Sequence, residues 1–133
     1  MKKLLLILLC LPFFGVSQCV VGNCNDGYGV FLFSGEFKGD RYVGEWKNKE
    51  PNGMGTYYWD SGSQYVGEWK NGAQYGVGTY IWGSGNNTGD KYVGEWKYGK
   101  KHGLGIYTWN NGRQYLAEYV NGENVKILYT IYE

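Results

Sequence analysis

Glu45, Glu68 and Glu95 stand at one position of a string, Tyr-Val-Gly-Glu-Trp-Lys, that occurs three times, each beside Lys47, Lys70 or Lys97. A row of carboxylates next to lysines could ligate a metal or run acid–base chemistry, but either task needs groups that converge on one centre. Here each carboxylate occupies an equivalent repeat position. Architecture accounts for the row, and a solvated charged face that discourages aggregation is the expected role. His102 is the only histidine, in Lys100-Lys101-His102, where a solvated turn residue is expected. No Gly-x-Ser-x-Gly elbow or phosphate-binding loop occurs, and the glycines between Gly22 and Gly29 precede no helical pattern. No catalytic, cofactor-binding or metal-binding residue is expected, and the chain reads as a non-enzyme.

The cysteines offer another kind of chemistry. Lys2 and Lys3 followed by the apolar run Leu4 to Phe14 have the layout of a signal peptide, and Gly15-Val16-Ser17 supplies small residues for cleavage after Ser17 or Gln18. Cys10 leaves with that leader. Cys19 and Cys24 remain as a pair in an oxidising compartment, so a disulfide between them is expected. The alternative is acylation of Cys19 in a membrane-associated lipoprotein, against which Gln18 is bulky where a lipobox has a small residue. Two cysteines and one distant histidine fall short of the four ligands of a structural zinc site.

Without Lys2 and Lys3 the basic residues number 11 against 12 acidic ones, a formal charge near −1. That is no electrostatic footprint for nucleic acid. Nor is there an amphipathic basic helix for a lipid surface, so membrane contact would require acylation at Cys19. The chain is expected to be exported: secreted, periplasmic or on the cell surface.

These residues are positioned by the repeat. Tyr42, Tyr65, Tyr92 and Tyr115 are spaced by 23, 27 and 23 residues, and each block continues into a turn, then Gly-x-Gly and an aromatic run ending in Trp. A fixed period of this length marks a stacked array whose units cannot bury their apolar faces alone. Alternation places Tyr42, Gly44 and Trp46 on one face, and Val43, Glu45 and Lys47 on the other. Turn formers over Asn48–Asn52 separate this strand from Gly53–Trp59, so each repeat is a β-hairpin. Aromatic rings can lie over the strand glycines. Strands are expected near 42–47, 53–59, 65–70, 76–82, 92–97, 103–109 and 115–120, with no helix beyond two turns after Gln18.

The run Tyr65 to Gly85 closely resembles the MORN repeat, and Tyr42 through Gly112 carries three copies. The resemblance implies a single-layered, twisted antiparallel β array used for protein association or, in some members, proposed for lipid binding. The fold class is thus all-β, an elongated single layer of stacked hairpins. The expected division is a signal peptide (1–18), an N-terminal half repeat or cap (19–41) and repeats at 42–64, 65–91 and 92–114. A degraded C-terminal repeat follows (115–133), where Ala117 replaces the strand glycine and Tyr119 the tryptophan. Gly27–Phe33 imitates a second strand with no first.

Two connections are long, Phe33 to Tyr42 and Gly83 to Asp90, and both end in Gly-Asp-Lys/Arg-Tyr. A tolerated surface insertion is the simpler reading, with Asn86, Asn87, Thr88 and Asp90 as the polar groups of a ligand loop on the other. The expected function is a scaffold for protein–protein or self-association through an aromatic β surface. Tyr58 and Tyr80, read as strand residues that cover no glycine, are its expected contributors, with Tyr75 and Tyr98 at the turns. The alternative is a carbohydrate- or cell-wall-binding module, in which Trp and Tyr hairpins stack on sugar rings.

Overall fold

The structure, a computed structural model, describes residues 16–131, so the leader segment and its cleavage site lie largely outside the described residues. Ten strands form one open antiparallel sheet in sequence order: β1 (Gln18–Gly22), β2 (Gly27–Leu32), β3 (Arg41–Lys47), β4 (Glu50–Tyr58), β5 (Gln64–Lys70), β6 (Ala73–Ile81), β7 (Lys91–Lys97), β8 (Lys100–Thr108), β9 (Gln114–Val120) and β10 (Glu123–Ile131). Each strand pairs only with its neighbours in the order, so the body is an elongated hairpin array. The only helical turns among the described residues are short 3₁₀ turns at Gly35–Phe37 and Gly85–Asn87, one in each long connection.

The second strand of each repeat begins three residues earlier than the turn-former pattern predicts, at Glu50, Ala73 and Lys100. The cause is the turn. Asn48-Lys49, Asn71-Gly72, Tyr98-Gly99 and Asn121-Gly122 all have φ between 49° and 97°, the two-residue geometry that matches strand twist and lets pairing resume at once. The half repeat also has a first strand, β1, paired with β2 through a bulge between Cys19 and Val21. At the other end β10 completes the degraded repeat, where patterning had marked no strand because the Gly-x-Gly signature is missing.

Each complete hairpin contains a bulge. Gly67 pairs with Gly78 and Trp69 with Gln74, so Glu68 alone faces Tyr75, Gly76 and Val77. The Glu68 carboxylate fills this gap and accepts the Val77 N–H at 3.0 Å; Glu45 does the same for Met54 at 2.9 Å and Glu95 for Leu104 at 3.1 Å. The repeated glutamates therefore cap bulges rather than simply charging a face. A constant separation of nine residues from each glutamate to its amide was the signal in the sequence.

The core is aromatic and lies on one face. Tyr42, Tyr65 and Tyr92 have no solvent exposure. Each ring covers two paired glycines, and its hydroxyl donates to the carbonyl of Glu45, Glu68 or Glu95 at 3.0–3.2 Å. A Cβ at Gly55, Gly78 or Gly105 would collide with the covering ring. The tryptophans reach back one hairpin: the Nε1–H of Trp46, Trp69 and Trp96 donates to the carbonyl of Gly29, Gly55 and Gly78 at 3.2–3.3 Å. Tyrosine thus closes its own repeat, and tryptophan joins it to the one before.

Candidate functional site

Two rows of rings run the length of the aromatic face. The inner row is Trp46, Tyr42, Trp69, Tyr65, Trp96, Tyr92 and Tyr119, each edge-to-face with the next at 5.0–5.3 Å. This is the geometry in which the positive edge of one ring meets the negative face of another. The outer row is Phe33, Tyr57, Trp59, Tyr80, Trp82, Tyr107, Trp109 and Tyr115, with centroids 4.6–5.6 Å apart. All of these except Tyr107 are only partly buried.

Side chains from one connection clamp the next. Asp40 accepts the Tyr57 hydroxyl at 2.7 Å and the Asp60 N–H at 2.8 Å. Asp90 accepts the Tyr107 hydroxyl and the Asn110 N–H, and Asn87 donates to both Asp90 and Tyr107. In the short connection Ser63 accepts the Gly83 N–H at 2.9 Å. All three clamps reach an amide twenty residues ahead. Burial pushes the Asp90 carboxyl up, but hydrogen bonds from Tyr107, Asn110 and Asn87 outweigh it and hold Asp90 below the usual carboxylate range. The same environment pushes the Tyr107 phenol up to about 12, through burial first and its bond to Asp90 second. Asn87, Thr88 and Asp90 of the long connection all make such internal bonds.

The four expected surface tyrosines do not form one surface. Register places Tyr80 opposite Tyr65 and Tyr92, as Tyr57 is opposite Tyr42 and Tyr65; Tyr80 is the counterpart of Tyr57, in the outer row between Trp59 and Trp82. Tyr58 lies on the other face under the Arg41 guanidinium, 4.2 Å from its ring centre. Grouping them misaligned the two strands by one residue, and one residue reverses the face. Tyr75 and Tyr98 are adjacent, 5.8 Å apart edge-to-face, and Tyr98 is 69% exposed at the tip of its turn. His102 is a half-buried strand residue opposite Glu95, not a turn residue, and its Nδ1 has no hydrogen-bond partner.

Cys19 and Cys24 are joined by a disulfide with Cα atoms 5.9 Å apart. The Cys24 sulfur covers Gly29, the position that Tyr42, Tyr65 and Tyr92 cover in the complete repeats. Beside it lies a hollow of about 340 Å³ lined by Phe31, Phe33, Trp46 and Pro51 among others. Lys101 also lies on the aromatic face, its ammonium 5.0–5.7 Å from the centres of Trp82, Tyr92, Tyr107 and Tyr119. Burial depresses its pKa.

Among the described residues no three His, Cys, Asp or Glu side chains are placed to hold a metal ion, and no helix is long and apolar enough to cross a membrane. An open hairpin array stitched by glycine–tyrosine and tryptophan–carbonyl contacts is a β repeat scaffold. Residues 42–64, 65–87 and 92–112 each match the MORN repeat; these matches span half of the chain, and the chain belongs to the MORN repeat family. MORN repeats form a non-catalytic repeat family, commonly found in protein- and membrane-binding settings. No curated protein matches the chain.

Proposed function

We propose that this chain is an exported, non-enzymatic scaffold that binds an extended segment of a protein partner along its aromatic face. The observation that carries this reading is the outer row of rings, all but Tyr107 partly buried, continuous from Phe33 to Tyr115 over all complete repeats. Rings of Tyr and Trp supply contact area at low entropic cost, and a surface spread over repeats suits an extended ligand better than a pocket does. Export is supported by the leader-like run from Lys2 to Phe14 and by the disulfide, which belongs to oxidising compartments.

Self-association is the second reading, and β10 favours it. This edge strand leaves Val125, Ile127, Leu128, Tyr129 and Ile131 40–65% exposed, and an unpaired apolar edge is a template for pairing with another chain. Partner capture from the native secretome by the wild type and by Trp59→Gln/Trp82→Gln tests the proposal, with light scattering and a glycan array on the same samples. A protein captured by the wild type and by the opposite-face variant Val66→Gln, but not by the double variant, supports the aromatic face. Loss in Val66→Gln with retention in the double variant would overturn it. A stable dimer broken by Ile127→Lys selects self-association, and glycan binding in place of protein capture selects a carbohydrate module.

A further inference from the structure

Trp69 and Trp96 each meet three rings. Trp69 lies 5.2 Å from Tyr65 of its own hairpin, and 5.3 and 6.0 Å from Tyr42 and Tyr57 of the hairpin before. Trp96 meets Tyr92, Tyr65 and Tyr80 in the same way, at 5.3, 5.2 and 6.1 Å. Trp46 meets Tyr42 at 5.0 Å and Phe31 at 5.5 Å, but in the hairpin before it the remaining place belongs to Cys19. Register gives the equivalence: Cys19 pairs with Phe31 as Tyr42 pairs with Tyr57, Tyr65 with Tyr80 and Tyr92 with Tyr107. The inner row is therefore one ring short beside Trp46.

The disulfide replaces only part of that ring. The Cys24 sulfur covers Gly29, but a hollow of about 340 Å³ remains, lined by Cys19, Cys24, Phe31, Phe33, Trp46 and Pro51 among others. An apolar cavity of about 150 Å³ already admits benzene, so this one has room for a whole aromatic side chain. Cys19 is exposed, and Phe31, Phe33 and Pro51 are half-buried, so the hollow is open to solvent. In the complete repeats the tyrosine closes the same place, and Tyr42, Tyr65 and Tyr92 have no exposure. Lys49 is the one charged residue among those lining the hollow, and no carboxylate joins it, which disfavours a cationic occupant.

We propose that this hollow anchors one aromatic side chain of the partner protein, whose ring stands against Trp46 as Tyr42 stands against Trp69 and Tyr65 against Trp96. This rests on the aromatic face being the binding face, and it fixes one end of the partner segment at the first hairpin. An aromatic ring is favoured over an aliphatic side chain of similar size because Trp46 can make with it the edge-to-face contact that the other two tryptophans make with a tyrosine of the hairpin before. The ring completes the row from outside.

The indole N–H resonances of Trp46, Trp69 and Trp96 report on the three places separately. The probe is N-acetyl-tyrosinamide, titrated into the protein and followed by two-dimensional proton–nitrogen NMR. Saturable movement of Trp46 with Trp69 and Trp96 unmoved is the expected result, with N-acetyl-leucinamide binding about fivefold more weakly. Pro51→Phe, which puts a ring into the hollow from the chain itself, should weaken the Trp46 response about tenfold, whereas Pro51→Ala should keep it. Wild-type positions of the Trp69 and Trp96 resonances show that both variants are folded. A stationary Trp46 in the wild type, or an undiminished response in folded Pro51→Phe, overturns the site. Leucinamide binding as tight as tyrosinamide overturns the aromatic assignment, and movement of Trp46 on dilution of the protein alone puts a second copy there instead of a partner. A partner captured equally by the wild type and Pro51→Phe overturns the anchor and leaves the face standing. A responsive Trp46, with capture unaffected by Trp59→Gln/Trp82→Gln, supports the hollow while the reading of the outer row fails.

Discussion

At the scale of single residues, the fold is held by tyrosines lying over glycines. The paired glycines Gly67 and Gly78 leave a bare strip of backbone, and the Tyr65 ring occupies the volume their side chains would take. Burying such a ring contributes roughly 1.5–3 kcal/mol, more than the entropic weakness of glycine in a strand, about 0.5–1 kcal/mol each. Gly78→Ala should therefore destabilise by about 3 kcal/mol, because the new Cβ meets a ring that cannot move. Gly72→Ala, in a turn at φ +76° with open space around it, should cost only the backbone strain of about 1 kcal/mol. Denaturant midpoints of the two variants at equal slopes check the difference. The glycine-covering role was legible from period-2 alternation alone. The role of Glu68 was not, because its partner amide is nine residues away across a bulge.

At the scale of the element, a hairpin is the repeating unit but not the stabilising one. Trp69 is 7% exposed, meets Tyr42, Tyr57 and Tyr65, and bonds the Gly55 carbonyl of the preceding hairpin. Trp109, near the C-terminal end, is half-buried and meets Tyr107, Tyr115 and the Arg113 guanidinium. Trp69→Ala should cost about 3–5 kcal/mol, and Trp109→Ala about half of that. Equal midpoint shifts would contradict a structure in which neighbours on both sides set the cost. In the first hairpin among the described residues, Cys24 takes the place of the covering tyrosine, so the disulfide closes this end of the array as well as its own loop.

At the scale of the whole molecule, stacked phenols make stability depend on pH. Burial, as the leading cause, raises the pKa of Tyr42, Tyr57, Tyr65, Tyr92, Tyr107 and Tyr119 above the ordinary value of 10.0. Above that value the unfolded chain releases these protons while the folded chain keeps them, so folding loses stability as pH rises. Denaturant midpoints should hold to about pH 9 and fall steeply beyond 10, with the share of the phenolate absorbance that belongs to these six rings rising only together with unfolding. Asp90 acts with the opposite sign: its lowered pKa gives stability that is lost as pH falls through the acid range. Ionisation of all 14 tyrosines near pH 10 without unfolding would refute the burial of these rings.

The array itself was determined by the sequence. Period, alternation and Gly-x-Gly are local properties, and a repeated unit that pairs with its neighbours turns local rules into a global fold. Strand starts, the partners of Glu45, Glu68 and Glu95, and the clamps of Asp40, Ser63 and Asp90 depended on register, where two extra residues in a bulge change which groups meet. The same dependence separated Tyr58 from Tyr80, and it brought Lys101 among four rings drawn from its own strand, both neighbouring strands and the connection after β6. Side-chain direction reverses with each residue, so composition could name the rings, but only the paired sheet could decide which face they share.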